Sequence, residues 1–199
     1  MEYVIAAFIF GLSGGLKPGA LSIFVIHETL QRGDRAGLLA SFAPFVSDGP
    51  IILAMLFIIS NASHLQYFTV FISTAGALYL GYIAYTIWRG ADYSAGSRET
   101  PTTFFTAVKI NLLNPAPYMF WSTVGGAYLI RGTPLQGGIF IVVMLTTLAL
   151  SKFAVAKSIA LLGARSERQV QDTILKCLAL LLLVFAARLL YQGWHSIVM

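Results

Sequence analysis

Residues 11–24, G-L-S-G-G-L-K-P-G-A-L-S-I-F, interrupt an apolar run that otherwise has the composition of a helix. Proline has no backbone N–H and its ring clashes with the carbonyl four residues earlier, so Pro18 is expected to break the helix and free the carbonyl of Gly14. Lys17 stands directly before that proline. Because irregular backbone is tolerated in lipid only where it is buried in protein or lines a cavity, we expect this segment to face the interior of a membrane protein.

The overall composition also indicates an integral membrane protein. Hydrophobic residues make up 57% of the 199 residues and charged residues only 11%, whereas a soluble domain carries about 25% charged residues. The net charge of +5 comes from basic residues scattered at the ends of apolar runs, which is typical of cytoplasmic loops and argues against a nucleic-acid partner. The single cysteine, Cys177, excludes an intrachain disulfide and any CxxC pattern.

Six membrane spans are predicted from the lengths of the apolar runs. They lie near residues 3–30, 38–60, 68–88, 103–130, 135–161 and 171–195. The longest polar connection, residues 91–102, is predicted to be a cytoplasmic linker between two three-helix repeats at residues 1–90 and 103–199.

The distribution of arginine predicts the orientation in the membrane. Loops two and four contain only Arg131. The other three loops contain six arginines, namely Arg32, Arg35, Arg89, Arg98, Arg165 and Arg168. Since cytoplasmic loops carry the excess of Lys and Arg, both termini are expected outside a plasma membrane.

The two halves share an interrupted first span. The first span contains L-K-P-G-A at 16–20 and the fourth contains L-N-P-A-P at 113–117. Two homologous halves of three spans would insert in opposite orientations, which is the inverted repeat of many secondary transporters. The half-helices that begin after Pro18 and Pro115 would point free N–H groups at the midplane, and such helix starts favour anions such as a carboxylate. Two unrelated proline kinks are the alternative.

Three ionisable residues are predicted near the midplane, where a charge is costly and usually functional. Asp48 could bind a substrate ammonium or exchange a proton, and a structural ion pair with Lys17 or Lys152 is the alternative. Either lysine could instead bind a substrate carboxylate. Lys152 could also extend its ammonium toward the membrane interface.

Polar residues around these breaks complete the candidate set. Asn111 and Asn114, three residues apart, could bind a zwitterion or repair the helix locally. Glu28, with His27 beside it, and Asp34 are predicted to be solvated at the inner end of the first span, with an inner gate as the alternative for Glu28.

Enzymatic and soft-metal signatures are missing from the sequence. There is no Walker A motif, H-E-x-x-H, G-x-S-x-G, His-rich loop or Cys pair. The sequence therefore predicts neither an enzyme nor a soluble cofactor, and no metal ligands are assigned.

The chain resembles the lysine exporter (LysE/RhtB) superfamily of small amino acid effluxers over essentially its whole length. The resemblance rests on P-G-A-L-S (18–22), L-Q-R-G-D-R-A-G-L-L-A (30–40), Asp48, A-G-A-L-Y-L-G-Y-I-A-Y (75–85) and F-F-T-A-V-K-I-N-L-L-N-P-A-P-Y-M-F-W (104–121). It differs in having Ala20 where the family usually has the second proline of P-G-P, and in having Lys17 before the motif.

The resemblance implies amino acid export driven by the proton-motive force, a six-span fold and homodimers. It places the substrate region at Pro18 and Gly19, Asp48, and Asn114 with Pro115. A lysine at the midplane disfavours a dibasic substrate such as lysine, unless it pairs with Asp48. A neutral amino acid or another small zwitterion or anion is then an equal expectation for the substrate. The competing hypotheses are a cation or metal-ion effluxer of the same superfamily and a non-transporting scaffold.

Overall fold

The computed structural model is built from helices, and no strand occurs in the part of the chain that it describes. The backbone is described for residues 1–59, 65–88, 100–164 and 168–198, and side chains for most of these. Most of the predicted linker 91–102 and three of the loop arginines, Arg89, Arg98 and Arg165, lie outside the described residues. The predicted orientation therefore stays a prediction.

Ten α-helices are described, one of them continued by a π-helical turn. They are α1 Glu2–Leu16, α2 Ala20–Arg32, α3 Asp34–Ser41, α4 Pro44–Ile59, α5 Leu65–Trp88, α6 Thr100–Leu112, α7 Pro115–Phe120, the π turn Trp121–Gly125, α8 Gly126–Arg131, α9 Pro134–Ala164 and α10 Arg168–Val198.

Both predicted breaks are present. The chain leaves the helix at Lys17, and α1 and α2 meet at an angle of 66°. In the fourth predicted span, α6 ends at Leu112 and α7 starts at Pro115. In each case proline cannot donate the next helical hydrogen bond, so the helix ends and a new one begins within a few residues.

Four helical segments are long and apolar enough to cross a membrane, and the bent pair α1–α2 makes a fifth. The segments are Asp34–Met55, Val70–Trp88, Pro134–Leu162 and Thr173–Tyr191. The predicted span 103–130 is not among them, since the break after α6 divides it into a helix of 13 residues, Thr100–Leu112, and a second one that runs from Pro115 through the π turn to Arg131. The structure thus supports a multi-pass membrane protein, and the sixth span stays a prediction.

The second predicted span is irregular. It consists of α3 and α4, which meet at Phe42 and Ala43, and α4 starts at Pro44 and contains Pro50. Asp48 lies on α4, which also contacts α6 and the π turn.

Two helix pairs form the most extensive contacts, α1 with α9 and α5 with α10. In the first pair, Gly11 and Gly15 are spaced four residues apart and lie against the α9 backbone. A Cβ atom at Gly15 would be 2.5 Å from the Ser151 Cβ and 2.9 Å from the Leu148 carbonyl oxygen. The absence of side chains at this face lets the two helix backbones approach closely.

We expect Gly15→Ala to destabilise the folded protein by about 1–3 kcal/mol, because overpacking forces the backbones of α1 and α9 apart. Thermal unfolding of the purified protein in detergent measures the effect. Gly138→Ala is the matched control on α9, since a Cβ atom there has no neighbour within 4 Å. Equal unfolding midpoints for the two variants would contradict the close packing of α1 on α9.

Candidate functional site

A cavity of about 530 Å³ lies where the broken helices meet. Its volume is within the range of roughly 300–1,000 Å³ that is typical of ligand sites. Seven of the eight sequence-predicted site residues line it, namely Lys17, Pro18, Gly19, Asp48, Asn111, Asn114 and Lys152. The eighth, Pro115, is buried at the start of α7 and is not in the lining.

Asp48 is held in the cavity wall by two neutral donors. Its side chain is buried, with 3% of its residue surface exposed. The Asn111 Nδ2 donates to Asp48 Oδ1 at 2.7 Å, and the Trp121 Nε1 donates to Asp48 Oδ2 at 2.9 Å. Asn111 also donates to the Ser47 hydroxyl at 2.7 Å. The carboxylate therefore joins α4 to α6 and to the π turn.

No ion pair to Asp48 is found among the side chains that the structure describes. The predicted alternative of a structural ion pair with Lys17 or Lys152 is therefore wrong for this conformation. The carboxylate keeps both oxygens in hydrogen bonds without a cation, which leaves its charge available to a cationic ligand or a proton.

Trp121 is a site residue that the sequence reasoning did not assign. It is 2% exposed and opens the π turn, which places its indole N–H at Asp48. Gly125 and Gly126 make room for it, since a Cβ atom at Gly125 would be 2.5 Å from the indole ring and one at Gly126 would be 2.5 Å from the Trp121 carbonyl oxygen. The glycines four and five residues after Trp121 are the sequence signal from which its role could have been predicted. Single-turn π segments inside α-helices occur frequently at functional sites.

Lys152 bridges the break in the first span. It is 8% exposed, and its Nζ donates to the Gly14 carbonyl at 3.0 Å and to the Ser22 hydroxyl at 2.8 Å. Ser22 in turn donates to the Lys17 carbonyl at 3.1 Å. The Gly14 carbonyl is the group that Pro18 was predicted to leave without its helical partner, and Lys152 supplies the missing donor.

The two half-helix starts differ. At α2 the N-cap is Gly19, which has no side chain to cap the first N–H groups, and Ala20 and Leu21 line the cavity. At α7 the Asn114 side chain accepts from the Ala116 N–H at 3.1 Å. Asn114 thus repairs its helix locally, as one of the two hypotheses for it predicted, while it also lines the cavity.

A second polar cluster lies at the other end of α2. Glu28 is 3% exposed, so its predicted solvation is wrong. Thr103 donates to Glu28 Oε2 at 2.7 Å, Arg32 Nη1 donates to the Thr103 hydroxyl at 2.9 Å, and His27 Nδ1 lies 3.2 Å from Glu28 Oε1. Asp34 is exposed as predicted and pairs with Lys157 at 2.7 Å. Glu28 is buried because it connects α2 to α6 through Thr103.

One comparison places the chain among known proteins. The family profile described as LysE type translocator matches residues 12–193. No solved structure matches the chain.

Proposed function

The chain belongs to the LysE type translocator family, and from this premise we propose that it is a secondary transporter that exports amino acids or related small zwitterionic metabolites from the cytoplasm. Family membership and the apolar helices together make it a multi-pass membrane translocator. The direction, the class of cargo and the mechanism are our proposal.

The observation that carries the proposal is the charge pattern of the cavity. One buried carboxylate, Asp48, and one buried ammonium, Lys152, line a single space between interrupted helices. An α-amino acid carries the complementary ammonium and carboxylate on one small body. Buried polar groups convergent on a largely apolar cavity are the usual composition of a small-molecule site.

Helix pairing supports alternating access by two inverted repeats, residues 1–90 and 103–199. Helices α1 and α2 of the first predicted span pack on α9 of the fifth, while α6 of the fourth packs on α3 and α4 of the second. An axis relating the halves would exchange these two contacts and would map the α5–α10 contact onto itself. Rocking one repeat against the other would then expose the cavity to each side in turn.

We assign the coupling proton to Asp48. Intramembrane carboxylates mark ion and proton pathways in transporters. Its two partners, Asn111 and Trp121, are neutral, so the carboxylate can hold a proton or a cargo ammonium without breaking an internal ion pair. Export would proceed as antiport, with a proton entering as the cargo leaves. We further propose that the protein lies in the plasma membrane with both termini outside and forms a homodimer.

The direct test is efflux from cells preloaded with a mixed pool of neutral, basic and acidic amino acids. We expect cells that express the protein to release one class faster than vector controls, and we expect a proton uncoupler to stop the release. Verified membrane insertion without faster release of any amino acid would contradict the proposal. Divalent cations would then be tested as cargo, since a cation effluxer is the competing transporter hypothesis.

A further inference from the structure

We propose that Lys152 anchors the carboxylate of the cargo and that the cavity selects amino acids with one ammonium group and an apolar side chain. This inference rests on the proposed function, because it names the cargo class of the same site. It assigns specificity to Lys152 and names the carboxylate as the cargo group that Lys152 recognises.

Lys152 has no carboxylate partner among the described residues. Its two hydrogen-bond acceptors, the Gly14 carbonyl and the Ser22 hydroxyl, are both neutral. An ammonium has three N–H donors, so one remains for a ligand. A buried charge costs several kcal/mol unless an opposite charge compensates it. A carboxylate brought by the cargo supplies that compensation.

Other groups that favour an anion line the same cavity as Lys152. Lys17 and Arg188 add positive charge to the cavity lining. The start of α2, a helix of 13 residues, lies at the same wall with its first N–H groups uncapped by a side chain. These features place the carboxylate of the cargo near Lys152 and leave Asp48 as the carboxylate available to the cargo ammonium.

The positive lining also disfavours a second cation on the cargo. Among the described lining residues Asp48 is the one carboxylate, against Lys17, Lys152 and Arg188. A dibasic amino acid would bring a second ammonium that has no carboxylate to meet. The remaining lining is rich in apolar side chains, including Phe10, Leu21, Leu80, Met144, Leu148 and Phe185. An apolar cargo side chain gains free energy by burial against them.

Lys152 also connects cargo binding to the shape of the first span. Its ammonium holds the end of α1 through Gly14 and the first turn of α2 through Ser22. A carboxylate drawn to the same ammonium therefore acts at the joint between the two half-helices.

The test measures binding to the purified full-length protein in detergent, without any gradient. The probes are L-leucine, L-methionine and L-phenylalanine, with L-leucinamide as the analogue lacking a carboxylate and L-lysine as the dibasic compound. We expect at least one of the three apolar amino acids to bind, and leucinamide and lysine to bind about tenfold or more weakly. In Lys152→Gln we expect apolar amino acid affinity to fall about 10- to 100-fold and the preference for leucine over leucinamide to disappear.

Two further variants separate recognition from folding. Lys152→Arg keeps the charge and should keep the preference for the carboxylate compound. Lys157→Gln, the same change five residues along α9 at an exposed ion pair, should bind like wild type. The leucine-to-leucinamide ratio is the decisive readout, since a purely structural Lys152 would alter stability but not this ratio.

Three results would overturn the inference: binding of none of the apolar amino acids, equal binding of leucine and leucinamide, or an unchanged ratio in Lys152→Gln. The efflux experiment judges the proposed function separately. If cells release a basic or acidic amino acid faster in the efflux experiment, and the purified protein binds none of the apolar amino acids, the proposed cargo class is rejected. The proposal that the protein is a transporter then still stands.

Discussion

Asp48→Asn will strongly reduce efflux against the concentration gradient of the cargo while the protein still inserts in the membrane. In the proposed mechanism Asp48 alternates between a protonated and an ionised form, and asparagine has no proton to exchange. We expect the rate of efflux against a concentration gradient to fall by about tenfold or more. A tenfold change corresponds to about 1.4 kcal/mol. The rate at which labelled cargo exchanges for unlabelled cargo at equal concentrations should be reduced less than the rate of uphill efflux.

The geometry of Asp48 predicts a modest folding cost for the same variant. Both carboxylate oxygens now accept hydrogen bonds, one from Asn111 and one from Trp121. An asparagine amide presents one oxygen and one NH₂ group, so one of these donors would face another donor. A buried polar group left without a partner costs about 1–3 kcal/mol. Thermal unfolding in detergent measures this cost independently of transport.

Two variants control for that cost. Asp48→Glu retains an ionisable carboxyl group and should retain more uphill efflux than Asp48→Asn at a similar loss of stability. Asp34→Asn removes a carboxylate from an exposed ion pair with Lys157 and should transport like wild type. Proton-coupled efflux that persists at the wild-type rate in Asp48→Asn would remove the coupling role from Asp48.

Local chemistry made the breaks in the helices predictable. Pro18 and Pro115 cannot donate a backbone hydrogen bond, so the ends of α1 and α6 follow from the sequence within a few residues. The same rule identified the freed carbonyl of Gly14. Ionisable residues in apolar runs are rare because a charge in the bilayer is costly, and for this reason the sequence alone singles out Lys17, Asp48 and Lys152.

The partners of those residues could not be predicted, because they are distant in the chain. Trp121 donates to a carboxylate 73 residues away, and Lys152 reaches a carbonyl 138 residues away. No local periodicity encodes such distances. The π turn at Trp121 adds one residue to a helical turn and so changes which side chain faces α4, a shift that periodicity analysis at 3.6 residues per turn does not detect.

Glu28 is a further residue whose environment could not be predicted from local sequence. Its position near the end of an apolar run suggested solvation, since charged residues there usually reach water. Burial follows instead from α6, which brings Thr103 within 2.7 Å of the carboxylate. The tertiary contact, and not the position within α2, determines the environment of this residue.

We therefore expect Glu28→Ala to destabilise the protein strongly, by about 3–5 kcal/mol, as removal of one member of a buried charged cluster does. The substitution removes the negative charge that His27 and Arg32 share and the acceptor of the Thr103 hydroxyl. Thermal and denaturant unfolding in detergent measure the loss. Glu2→Ala, at an exposed glutamate in the first turn of α1, should change stability by less than about 1 kcal/mol.

A smaller variant tests whether the connection between α2 and α6 is the cause. Thr103→Val keeps the shape of the side chain and removes only the hydroxyl that donates to Glu28 and accepts from Arg32. We expect a loss of about 1–3 kcal/mol. The double variant should lose less than the sum of the two single losses, because residues in one network are not additive. Full additivity would mean that Glu28 and Thr103 act separately, and the cluster would then not join the broken first span to the broken fourth.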